Sequence, residues 1–124
     1  MNIINTKNAP LAIGPYSQAT EINGFIFVSG QLPINPLTGE LVESDIKAMT
    51  RQSMNNIKAI LESCGSSMDK ILKTTVLVKD LSKFPEINEA YGEFFKNDVP
   101  ARACFEVSSL PKGAMVEIEA IAHK

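Results

Sequence analysis

Pro100-Ala101-Arg102-Ala103-Cys104-Phe105, followed after a turn by Val116-Glu117-Ile118-Glu119-Ala120, decides how this chain is read. Side chains alternate faces along a strand. Ala103, Phe105 and Val107 therefore point one way, and Arg102, Cys104 and Glu106 the other. Val116, Ile118 and Ala120 share a face in the next strand, with Glu117 and Glu119 opposite. Leu110-Pro111-Lys112-Gly113 supplies turn residues between the two, which predicts an antiparallel pair. One sheet face would then present a guanidinium, a thiol and carboxylates together, a receptor for a small carboxylic acid with a base beside it.

Upstream, Met1 to Asn5 reads as a short strand and Gln18 to Ile22 as a second. Asn23-Gly24 then marks a two-residue hairpin turn, because both central residues of a type I′ turn need positive φ. Phe25 to Val28 is the return strand, stopping at Ser29-Gly30, and Asn35 to Gly39 is a surface turn. Ser44 is the expected N-cap of a helix that runs to about Cys64 and ends at Gly65. Ile46, Met49, Ser53, Ile57, Ile60 and Cys64 recur at helical spacing as its buried stripe. Ile71 to Val78 is a β-branched strand, and Phe84 to Phe95 a second helix with Phe84, Ile87, Tyr91, Phe94 and Phe95 on one side. Strands over 102–108 and 115–122 complete the order β-β-β-α-β-α-β-β. That is a single α+β domain over residues 1–124, a mixed sheet with two helices on one face.

Several strands are apolar on both faces: Phe25 and Phe27 against Ile26 and Val28, Ile71 and Leu77 against Leu72, Val76 and Val78. Two helices cover only one side of such a sheet. In a chain of 124 residues the other side is most simply covered by another copy, so a homo-oligomer is expected.

Composition narrows the chemistry. A net charge of −2 and no Lys/Arg run argue against nucleic acid as a partner. No apolar run reaches membrane-spanning length and the first residues lack a signal-peptide layout, which predicts no membrane association and a cytoplasmic protein. The two cysteines, Cys64 and Cys104, build no disulfide framework. His123 is the only histidine, so neither a zinc site nor a Ser-His-Asp triad has the residues it needs. Any catalysis must run on carboxylate, arginine, phenol, thiol, backbone groups and water.

Gly14-Pro15-Tyr16-Ser17-Gln18-Ala19, Val28-Ser29-Gly30-Gln31, Asn35-Pro36, Pro100-Ala101-Arg102 with Cys104, and Leu110-Pro111 with Val116 to Ala120 stand in order along the chain. Together they resemble the signature blocks of the Rid/YjgF family, in particular its reactive-intermediate deaminase branch. The resemblance implies a chorismate-mutase-like fold, a homotrimer and clefts between subunits. It further implies hydrolysis of enamine and imine intermediates, released by pyridoxal-phosphate enzymes, to 2-oxo acids and ammonia without metal or organic cofactor. The substrate would be a small imino acid such as 2-iminopropanoate or 2-iminobutanoate. By resemblance Arg102 binds the substrate carboxylate, Glu117 positions water, and Tyr16, Ser29, Gly30, Asn88 and Cys104 line the cleft.

Each of these residues also has a plainer reading. Arg102 is either a surface ion-pair partner or a planar, bidentate donor to a carboxylate, and its place after Pro-Ala favours the second. Glu117 and Glu119 are either solvated or, for Glu117, an ionised base ready to accept a proton from water. Tyr16 is a turn aromatic or a phenol fixed at a rim. Ser29-Gly30 ends a strand or offers a hydroxyl and an unhindered N–H. Asn88 braces its helix or lines the cleft, and as a partly buried amide it needs partners either way. For Cys104, with no histidine to activate it, backbone contact with the substrate nitrogen is favoured over thiolate chemistry; Cys64 is structural. Three functions remain in view: an imine deaminase, a protein that binds or senses 2-oxo acids or small carboxylates, and, as the family resemblance implies for some members, an endoribonuclease.

Overall fold

A computed structural model describes all residues, Met1–Lys124. Strands β1 (Asn2–Ile4), β2 (Ala19–Ile22), β3 (Phe25–Gln31), β4 (Ile34–Asn35) and β5 (Glu40–Leu41) precede α1 (Ile46–Ser63). β6 (Ile71–Val78), α2 (Phe84–Gly92), β7 (Ala101–Glu106) and β8 (Val116–His123) follow. Six strands form one sheet in the order β1-β2-β3-β8-β6-β7, with β6–β7 parallel and the other pairs antiparallel. This is the expected α+β architecture, with β4 and β5 added as a small hairpin around the turn at 35–39.

Asn23 (φ 52°) and Gly24 (φ 82°) both sit in the left-handed region, as the tight β2–β3 turn requires. The cap of α1 is Asp45, not Ser44: its Oδ1 accepts from the Ala48 N–H at 2.8 Å. Both residues are competent caps, and only backbone direction selects between them. The helix ends as expected, with the Ser66 N–H donating to the Leu61 carbonyl at 2.9 Å and that of Gly65 to Glu62 at 3.3 Å. The stripe is wider than expected, because Thr50, Met54, Asn56 and Leu61 are also buried. Helix α2 stops at Gly92, and Phe94 and Phe95 pack from the turn beyond it.

The pairing of the last two strands overturns the expected hairpin. β8 lies between β3 and β6, so neither of its edges is left for β7. β7 instead pairs in parallel with β6 across α2. Thr74, Val76 and Val78 of β6 are buried beneath the helices, beside Ile118 and Val116 of β8. Arg102 stands opposite Thr74 and Cys104 opposite Val76, so both belong to this helix-covered face. Glu117 stands opposite Leu77 and Glu119 opposite Thr75, on the other face. Arginine and thiol are thus separated by the sheet from the two carboxylates.

The uncovered face keeps Ile3, Ile22, Phe25, Phe27 and Phe105 about half exposed. Beneath α1, the fully buried Asn56 donates through Nδ2 to the carbonyls of Leu32 (3.2 Å) and Ile34 (2.9 Å), tying β4 to the helix. Asn56→Ala strands both carbonyls and is expected to lower stability by about 1–3 kcal/mol, read as a shift of the urea midpoint at unchanged m.

Candidate functional site

Two half-sites emerge, one on each side of the sheet. The first is a cavity of about 800 Å³ at the β3–β8 seam, whose lining includes Tyr16, Ser29, Gly30, Lys112, Glu117 and Glu119. Its floor is a bulge: Val28 pairs with Ala120 and Gln31 with Ile118, so Ser29 and Gly30 together face Glu119 alone. This is why β3 does not stop at Ser29-Gly30 but bends there and resumes. Gly30 is needed for close approach, since a Cβ at this position would lie 2.7 Å from Glu117 Oε2. The Glu117 carboxylate therefore rests directly on the Gly30 backbone.

Burial, and secondarily the neighbouring Glu119 carboxylate, raise the Glu117 pKa above its ordinary value. The residue is a stronger base when ionised than a solvated glutamate. Ser29 has its proton committed, donating from Oγ to the Ser17 carbonyl at 2.6 Å. Tyr16 stands at the mouth, about half exposed, its phenol oxygen accepting from the Ile13 N–H at 3.2 Å. The strand-to-loop wall is held by Gln18, whose buried amide donates to the Thr6 (3.0 Å) and Pro10 (2.7 Å) carbonyls and accepts from the Thr6 N–H (2.7 Å). Lys112, at the rim with φ 59°, was not singled out from sequence. Its place between Pro111 and Gly113 is the one signal that it caps a turn.

The second half-site surrounds Arg102 on the edge strand β7. Its Nη1 donates to Asn88 Oδ1 at 2.8 Å, and its guanidinium carbon lies 5.0 Å from the Tyr91 ring centroid and 5.3 Å from that of Phe84. No carboxylate pairs with it: the three ion pairs of the chain join Lys47 to Glu89, Arg51 to Glu93 and Lys124 to Glu21. Asn88 therefore braces α2 against β7 through Arg102, the first of the two roles open to it. Cys104 packs against the hydrophobic core, and burial pushes its thiol pKa up, away from thiolate chemistry. Sequence reasoning assigned Phe84 and Tyr91 to a helix face without foreseeing the arginine between them.

An endoribonuclease L-PSP family model matches residues 6–124. The chain is 51% identical over 122 residues to the Escherichia coli protein named 2-iminobutanoate/2-iminopropanoate deaminase, covering 96% of this chain and 94% of that one. This chain belongs to the Rid/YjgF family. Its Rid/YjgF relatives carry more than one name: a RutC family protein of Pyrococcus horikoshii is 53% identical over 98% of this chain and 97% of its own. The crystal structure of the Rid family protein YyfA from Yersinia pestis superposes with a TM-score of 0.96 at 52% identity, covering 99% of this chain and 98% of that one. The fold is thus that of Rid/YjgF proteins.

Glu117 allows a check that is independent of turnover. An acid with a raised folded-state pKa favours folding below its unfolded pKa, and this contribution is lost as pH rises through the folded value. Glu117→Gln is therefore expected to melt above the parent at pH 7, the gap shrinking as pH falls through the carboxylate range. A constant gap between pH 7 and pH 4 would show that Glu117 carries no raised pKa.

Proposed function

We propose that this protein hydrolyses small 2-imino acids to 2-oxo acids and ammonia. The observation that carries the reading is Arg102: a partly buried guanidinium gripped by two rings and one amide, with no acidic partner. A cation held this way retains free planar donors, the geometry that a carboxylate accepts in a bidentate manner. The name of the E. coli relative, 2-iminobutanoate/2-iminopropanoate deaminase, supports a carboxylate whose neighbouring carbon is an imine.

The imine carbon is attacked by water. Ionised Glu117 takes one proton from that water as the C–O bond forms and passes it to nitrogen, giving a neutral adduct with hydroxyl and amino groups on one carbon. It then takes the hydroxyl proton and delivers it to the departing nitrogen as the C–N bond breaks and the C=O bond forms. Water and imine are consumed, 2-oxo acid and ammonia are released, and the carboxylate is regenerated. The raised pKa of Glu117 suits both transfers. Backbone groups of β7 near Cys104 orient the nitrogen, and Tyr16 with the Ser29-Gly30 bulge closes the side of the cleft. Positioning and a preorganised field are sufficient for so reactive a bond.

Arg102 and Glu117 lie on opposite faces of one sheet, so the reaction requires Arg102 of one copy and the Glu117 cavity of another. The uncovered face with Phe25, Phe27 and Phe105 supports such an assembly, and the family resemblance supports a homotrimer with three intersubunit clefts. A protein that only binds 2-oxo acids would use the same arginine without turnover. The endoribonuclease reading finds less support, because the cavity presents two carboxylates where a phosphate chain would pass.

An amino-acid oxidase coupled to this protein should show accelerated imine decay with stoichiometric ammonia. Arg102→Lys is expected to lower kcat/KM by about 10²-fold, because the charge survives but the paired donors do not. Cys104→Ala is expected to retain most activity. An active Arg102→Lys beside a dead Cys104→Ala would make the chemistry thiol-based and sink the mechanism.

A further inference from the structure

The half-buried Arg102 is held by a closed circuit that reaches beyond the residues considered so far. Thr74 of β6 and Arg102 of β7 are register partners, side by side on the helix-covered face. Tyr91, in the last turn of α2, lays its ring against the guanidinium, 5.0 Å from centroid to carbon. Its hydroxyl is turned back to the sheet, where it shares a 2.7 Å hydrogen bond with the Thr74 hydroxyl. Both residues are buried, so this bond has no competition from water. The same ring contacts Phe95, with centroids 5.1 Å apart.

We infer that Tyr91, fixed by Thr74, is a positioning residue that sets the plane of the Arg102 guanidinium and thereby the carboxylate affinity of the cleft. The inference rests on the reading that Arg102 receives the carboxylate. Three contacts hold the guanidinium: the Tyr91 and Phe84 ring centroids lie 5.0 Å and 5.3 Å from its carbon, and Asn88 takes one N–H. Of these only the Tyr91 ring is itself anchored to the sheet by a hydrogen bond, because Thr74 holds its far end. Burial keeps the phenol protonated, its pKa raised above the ordinary value, so the anchor persists across the neutral range. An arginine on an edge strand with no acid to orient it would otherwise sample several rotamers, each presenting its donors differently.

The test is a mutant cycle read in stability, in imine hydrolysis and in binding of 2-oxobutanoate as the carboxylate probe. Tyr91→Phe keeps the ring and removes the anchor, and Thr74→Val removes the same bond from the sheet side. Each single variant leaves a buried hydroxyl unpaired, whereas the double variant leaves none. Stability is therefore expected to fall in the single variants and to recover in the double. Affinity for 2-oxobutanoate and kcat/KM should drop about 10-fold in each single variant and remain down in the double, since the ring is still unanchored. In an Arg102→Lys background Tyr91→Phe should cost nothing further.

Recovery of binding and kcat/KM together with stability in the double variant would reduce the pair to a structural role and overturn the inference. So would an undiminished Tyr91→Phe, or an equal loss in the Arg102→Lys background. A parent protein that binds 2-oxobutanoate without hydrolysing imines would refute the proposed reaction alone, and the binding series would still decide the role of Tyr91. A parent that does neither refutes both.

Discussion

Insertion of the last strand between β3 and β6 is the pairing on which the rest of the molecule depends. Without β8 the sheet would fall into a three-stranded meander and an isolated β6-α2-β7 unit. Its inward side chains, Val116, Ile118, Ala120 and Ala122, are buried under the helices, and α1 crosses directly over it. Its outward Glu117 lies over the bulge in β3. One strand thus supplies the centre of the core on one face and the Glu117 carboxylate on the other. Because it joins residues near both ends of the chain, these contacts form at the expense of long loop closures.

The two half-sites show different ways of holding charge away from water. Glu117 is partly buried over the Gly30 backbone and has a second carboxylate nearby; burial first, and Glu119 second, disfavour its ionised form and raise its basicity. Arg102 is surrounded by π faces and an amide oxygen, which stabilise the cation without neutralising it. Neither arrangement is what stability alone would select. An acid beside Arg102 or a lysine beside Glu117 would satisfy both charges internally, and both would then be unavailable to a ligand.

Much of the architecture was legible in local signals. Asn23-Gly24 placed the first hairpin because few residues tolerate its backbone, and the helical period of 46–64 placed α1 because its buried face is long. The cap slipped by one residue where Ser44 and Asp45 were chemically equivalent, and α2 was read too long because Phe94 and Phe95 keep the apolar phase after the helix has ended. The residues of the candidate site were legible as motifs, while Lys112, Phe84 and Tyr91 were not, because their roles are defined only by what packs against them.

Strand periodicity by itself determined which side chains share a face within each strand: Arg102 with Cys104, Glu117 with Glu119. Two-sided apolar strands likewise determined that one sheet face would be left uncovered. Which strands became neighbours was decided only by tertiary structure. Proximity in sequence favours pairing 101–106 with 116–123, but an inner strand has two edges, and those of β8 are filled by β3 and β6. β7 must then join the sheet through the helical crossover, parallel to β6 and with Arg102 beneath α2. The period of a strand is local, whereas its register and partner are settled by competition among all edges for the same backbone hydrogen bonds.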